Sequence, residues 1–152
     1  MGIEIERKFL VKNDSWRAVS DAGKECRQGY LVAEKEKSIR VRIMGEKAFL
    51  TIKGETQGIT RPEFEYEIPP ADAEALLQLC GRAVLEKRRH IVHYGGMDWE
   101  VDVFGGTHLG LVLAEIELEE EGQVFEWPDW LGEEVSSNPR YFNAVLARQL
   151  LT

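Results

Sequence analysis

Charged residues in this chain recur two apart and agree in sign. Glu4 with Glu6, Glu63 with Glu65 and Glu115 with Glu117 are acidic doublets; Arg40 with Arg42 and Lys87 with Arg89 are basic ones. On a β-strand, residues two apart share a face, so each doublet presents paired like charge. Bases at fixed geometry suit a ligand with several negative charges, such as a row of phosphates. Paired carboxylates suit a hard divalent cation, Mg2+ or Mn2+, which keeps waters and bridges to phosphate oxygens. The combination matches what phosphoanhydride cleavage needs: bases neutralise the phosphoryl oxygens, a metal polarises the transferred group, and a carboxylate orients water.

The elements that must position these residues are mostly strands. "EIERKFLV" (residues 4–11) alternates, with Glu4, Glu6 and Lys8 on one face. "NDSWRAVSDAG" offers cap residues and a terminal glycine, the pattern of a short helix or helical turn. "CRQGYLV" is a strand, and "SIRVRIM" with "KAFLTIK" forms a hairpin that sets Arg40 and Arg42 on one face and Thr51 and Lys53 on another. "RPEFEYEI" aligns Arg61, Glu63, Glu65 and Glu67. "PPADAEALLQLCG" has proline at the start of a helix and glycine at its end. "AVLEKRRHIVHY" and "MDWEVDVF" form a second hairpin across Gly95-Gly96, "LVLAEIELEE" alternates again, and "NPRYFNAVLARQLL" is a final amphipathic helix. This gives one α+β domain over residues 1–152, with about eight strands, mostly antiparallel.

Period alone does not say which face looks inward. A solvated charged face is the simpler arrangement, but such faces usually mix signs, because like neighbours repel. Sorting by strand fits a closed barrel whose lumen carries acidic and basic stripes, with the apolar face outside and covered by helices.

Composition narrows the partners. The chain has 152 residues, 43% hydrophobic and 30% charged, with a net charge of −8. That balance suits a packed globular protein and disfavours nucleic acid and anionic membranes as partners. Cys26 and Cys80 have no CxxC spacing and read as free thiols. No apolar run reaches a membrane span, and the charged start is unlike a secretory signal, so a cytoplasmic location is expected. His90, His93 and His108 lack metal-ligand spacing, and the four tryptophans read as packing groups.

"EIERKFLV" resembles the ExExK signature of the CYTH superfamily, the triphosphate tunnel metalloenzymes. "RQGYL", "SIRVRI", "LTIK", "RPEFEYEI", "VLEKRRH", "EVDVF" and "LAEIELE" are similar to that family's strands in order, and "WLGEEVSSNPRYFNAVLA" to the tail of its short bacterial members. The resemblance implies an eight-stranded antiparallel closed β-barrel, a tunnel with a few flanking helices that binds a triphosphate and a divalent metal. It assigns Glu4, Glu6 and Glu117 to the metal, taken as Mg2+ or Mn2+. Lys8, Arg40, Arg42, Lys53, Lys87 and Arg89 match the phosphate-binding bases, and for Arg61 a solvated role stands equally open. Glu63, Glu65, Asp102 and Glu115 match further acidic tunnel positions, where a second metal or water activation is open. Lys8 and Glu115 are the catalytic candidates.

The implied activity is hydrolysis of a linear triphosphate, most simply inorganic tripolyphosphate, to diphosphate and phosphate. Relatives on the same scaffold hydrolyse thiamine triphosphate or cyclise ATP as class IV adenylate cyclases, and no purine or thiamine pocket is visible in the sequence. A non-catalytic polyphosphate-binding module is the alternative of another class. The oligomeric state, monomer or homodimer, is left open.

Overall fold

Short turns make sequence neighbours into sheet neighbours here. In the computed structural model, which describes residues 2–148, nine strands form one sheet. They are β1 (Ile3–Val11), β2 (Lys24–Ala33), β3 (Lys37–Met44), β4 (Lys47–Gly54), β5 (Thr60–Ile68), β6 (Val84–Tyr94), β7 (Met97–Phe104), β8 (Val112–Glu117) and β9 (Leu131–Glu134). Gly95 and Gly96, both at positive φ (60° and 78°), make the tight turn between β6 and β7 that only glycine-type conformations allow. All pairings are antiparallel, in the order β5-β4-β3-β2-β6-β7-β8-β1. The circuit closes where Ile3–Ile5 of β1 meet Pro62–Thr60 of β5. This is the expected eight-stranded antiparallel barrel.

Beyond residue 5, β1 parts from β5, and β9 pairs with the same edge at Phe9 and Val11. β9 is a ninth strand that the sequence pattern did not reveal, since "LGEE" is too short to show alternation. Helix α1 (Pro70–Leu79) starts at Pro70 as expected and packs Ala73 and Leu77 on Val41 and Ala48, outside the barrel. Gly29 permits this approach, because a Cβ there would meet Cys80 Sγ at 2.7 Å. The "NDSWRAVSDAG" segment forms a single 3-10 turn over Ser15–Val19, anchored by fully buried Trp16.

The barrel is charged along much of its inside and apolar outside, but helices supply only part of its outer cover. The second outer cluster, around Phe9, Val92, Trp99, Val101, Ala114 and Ile116, is covered by Trp16, Leu118, Trp130 and Leu131 from turns, loop and β9. Ile52, Phe64 and Tyr66 stay exposed on the β4–β5 outer face. The reason is a shortage of helix: α1 has ten residues, and the tail is used elsewhere.

That tail is not one continuous helix. Pro139–Tyr141 form a 3-10 turn, and α2 spans Asn143–Arg148; the remainder of the expected helix lies outside the described residues. Leu146 and Ala147 of α2 pack on Leu85, Phe104 and Leu113, which face into the barrel. Helix α2 therefore stops one end of the barrel with an apolar plug.

Candidate active site

Inward-facing residues of every barrel strand line a cavity of about 550 Å³. Its wall includes Glu4, Glu6 and Lys8 of β1, Arg40 and Arg42 of β3, and Lys53 of β4. Arg61, Glu63 and Glu65 of β5, Arg89 of β6, and Glu115 and Glu117 of β8 complete the expected set that reaches it. Register explains the convergence. Glu6 stands opposite Glu117, Lys8 opposite Glu115, Glu4 opposite Arg61, and Lys53 opposite Glu63.

Two expected residues do not line the cavity. Lys87 (2% exposed) and Asp102 (1% exposed) lie beneath it, joined at 2.7 Å. Asp102 also accepts two hydrogen bonds from Arg89, at 2.8 and 2.9 Å. Burial alone would raise the Asp102 carboxyl, but Arg89 and Lys87 hold it well below the usual carboxylate range. Burial, only partly offset by Asp102, lowers the Lys87 ammonium. Arg89 is thus clamped from below, and its remaining guanidinium nitrogen reaches Glu100 at 3.2 Å.

Glu100, Gln28 and Asn143 are part of the arrangement and were not singled out in the sequence. Glu100 had a signal, since it forms a doublet with Asp102. Gln28, fully buried, and Asn143 had none, because neutral amides leave no charge pattern. Lys8 Nζ donates to the Tyr141 carbonyl at 3.0 Å, so the tail also reaches the first strand's ammonium.

The acidic side is divided. Burial would raise Glu4, but Lys53 and Arg61, both at 3.1 Å, bring it down to about 2. Glu6 and Glu117 have no base within ion-pair distance among the described residues. Burial, Glu115 and Glu4 push the Glu6 carboxyl well up, and burial with Glu4 and Glu100 raises Glu117. Glu115 goes the opposite way: Lys8 and Arg89 overcome burial and hold it low. Like carboxylates facing each other across β1 and β8 are destabilising unless something positive joins them. This donor set fits a hard divalent cation. As the side chains stand, no three carboxylates among the described residues converge closely enough to hold one.

The basic side is crowded, although Arg40, Lys53 and Arg89 each have a carboxylate within 3.6 Å. Arg40 Nε is buried with no hydrogen-bond partner. Burial, Arg40 and Arg89 together lower the Arg42 guanidinium, a sign of crowded cations. The arrangement is a cavity with crowded guanidiniums on one wall and, on another, two carboxylates, Glu6 and Glu117, without a base partner among the described residues.

The family model described as the CYTH domain matches residues 2–148. The chain belongs to the CYTH family. The inorganic triphosphatase of Acetivibrio thermocellus is 48% identical over 149 residues, covering 97% of this chain and 95% of the relative. The inorganic triphosphatase of Nitrosomonas europaea is 37% identical over 151 residues, covering 95% and 96%. Among solved structures, the inorganic triphosphatase NE1496 aligns with a TM-score of 0.66 at 35% identity, over 95% of this chain and 93% of that one. A conserved hypothetical protein of Pyrococcus furiosus shares the fold at 22% identity, with a TM-score of 0.61 over 78% of this chain and 80% of that one. No described helix of this CYTH chain is long and apolar enough to cross a membrane.

Proposed function

We propose that this chain is an inorganic triphosphatase that hydrolyses tripolyphosphate to diphosphate and phosphate with the help of a divalent cation, Mg2+ or Mn2+. The observation that carries the proposal is the basic wall of the cavity, where buried Arg40 keeps an unused Nε–H and Arg42 is crowded by Arg40 and Arg89. Guanidiniums held this close repel one another until an anion offsets them, so such a wall suits an anionic ligand. The curated relatives' names point to the same anion.

Arg40, Arg42, Lys53 and Arg89 would bind the phosphoryl oxygens, with Arg61 at the rim. Glu4, Glu6 and Glu117 would hold the metal, with Glu63 and Glu65 beside them. When bound, the metal supplies Lewis-acid polarisation of the phosphoryl oxygens. Glu115, held ionised by Lys8 and Arg89, is placed to accept a hydrogen bond from the attacking water. Lys8, opposite Glu115 in the register, would neutralise charge on the leaving oxygen as the bridging P–O bond breaks. Asp102 and Lys87 act from beneath, by setting the Arg89 guanidinium.

The test is phosphate release from tripolyphosphate, ATP and thiamine triphosphate with Mg2+ or Mn2+, measuring cyclic AMP in parallel. The highest kcat/KM is expected on tripolyphosphate. Tight tripolyphosphate binding without release from any substrate would replace this function with a binding module.

A further inference from the structure

Lys87 and Arg42 can only donate hydrogen bonds, and this fixes how two amides between them are turned. Arg42 Nε donates to Gln28 Oε1 at 3.0 Å, so the Gln28 amino group points away, toward the Tyr30 hydroxyl at 3.2 Å and Asn143. Lys87 Nζ donates to Asn143 Oδ1 at 2.9 Å, and Gln28 Nε2 reaches the same oxygen at 3.4 Å. The acceptor end of Asn143 is filled twice. Its Nδ2 has no acceptor among the described residues, yet Asn143 lines the cavity. Asn143 is part-buried, so these two N–H donors stand beside a basic cavity open to solution, where an anionic acceptor can take the place of water.

We propose that Asn143 Nδ2 is a further substrate contact, donating to a phosphoryl oxygen of a bound polyphosphate anion, so that the C-terminal segment supplies part of the anion site. This rests on the phosphate-binding function proposed above. An amide suits the position better than another base would. It donates without adding charge to a wall where Arg40, Arg42 and Arg89 already crowd one another. Held by both Lys87 and Gln28, it is pre-organised and loses little freedom when the anion arrives.

The test is calorimetric titration of the full chain with diimidotriphosphate, a non-hydrolysable tripolyphosphate analogue, in Mg2+, comparing wild type, N143A, N143D, K87M and the K87M/N143A pair. N143A is expected to weaken binding on the order of tenfold, the scale of one hydrogen bond to a charged group. That loss persists when Lys87 is already Met, because the contact is direct. N143D keeps the oxygen that Lys87 and Gln28 use but exchanges the donors for an anionic oxygen. It should melt no lower than N143A without ligand, yet bind the analogue more weakly. Unchanged affinity in N143A, or a loss that vanishes in the K87M background, overturns the contact; the second result reduces Asn143 to positioning Lys87. A wild-type chain that ignores the analogue removes the phosphate-binding function itself, a result distinct from either of these.

Discussion

The two ends of the barrel interior are built from opposite materials. Along β1 the inward residues run Glu4, Glu6, Lys8, Leu10; along β8 they run Glu117, Glu115, Leu113, and the register sets Glu6 against Glu117 and Lys8 against Glu115. One end lines a cavity with charge, of which Glu6 and Glu117 have no base partner among the described residues. The other is stopped by Leu85, Phe104 and Leu113 under Leu146 and Ala147. The charged end alone would be poorly stable, since Glu6 and Glu117 face each other and Arg42 is crowded by like charge. The plugged end contributes ordinary apolar burial and brings Tyr141 and Asn143 against Lys8 and Lys87. Substitutions at the open end should therefore cost activity more than stability, and those at the plug stability more than activity.

The largest effect should come from Glu6→Gln. Glu6 has no base to lose, so neutralising it relieves repulsion and should leave the melting temperature unchanged or raised. Turnover of tripolyphosphate should fall by about 10³-fold, the upper size for losing one electrostatic group of a site, and added metal should not restore it. Wild-type turnover at low metal concentration would remove the metal role from this carboxylate.

Lys8→Ala comes next. Losing a contact made only in the transition state lowers kcat, whereas losing uniform binding raises KM alone. The expectation is a fall in kcat of roughly 10²-fold at saturating Mg2+. Lys8 also ties the tail through the Tyr141 carbonyl, so some stability should go with it. A raised KM with unchanged kcat would make Lys8 one more phosphate anchor.

How much of this contrast could be seen in the sequence depends on what each residue leaves behind in the pattern. Same-sign doublets survive in sequence because strand period keeps them on one face. That made the barrel and its inward charge readable from Arg40 with Arg42 or Glu115 with Glu117. Depth along the barrel is not encoded by period. Lys87 and Arg89 look alike as a doublet, yet one lies beneath the cavity against Asp102 and the other lines it. The plug was not readable either. Leu146 and Ala147 share the same amphipathic pattern whether a helix covers the outside of a sheet or stops its inside. Gln28 and Asn143, as neutral amides, carried no signal at all.

The plug gives the third prediction. Leu146→Ala removes apolar side chain from the closed end, and a cost of about 2–3 kcal/mol is expected in denaturant melts, the lower part of the range for buried leucine. Helix α2 carries Asn143, so kcat/KM should fall as well, but less than in Lys8→Ala. A variant with wild-type stability would show that the barrel does not depend on its stopped end.

The smallest effect lies outside the barrel, where β9 leads the chain toward the plug. Arg7 of β1 donates two hydrogen bonds to the Glu134 carboxylate of β9, at 2.8 and 2.6 Å, and the next residue, Val135, joins the plug cluster. The hydrogen bonds from Arg7 hold the Glu134 carboxyl below its ordinary value. A carboxylate lowered in the folded state contributes stability above its unfolded pKa and loses that contribution as pH falls through the folded value. The pair is part exposed, with side chains 23% and 32% accessible, so its contribution is small, about 0.5 kcal/mol. Melts of wild type and Glu134→Gln should differ slightly at pH 7. They should converge as pH falls below the ordinary carboxylate range, because protonation then does to Glu134 what the substitution does. If the plug depends on this staple, limited proteolysis at low pH should cut the tail before the barrel strands. Cleavage of both together would show that the two ends unfold as one unit, and that β9 adds nothing of its own to the closed end.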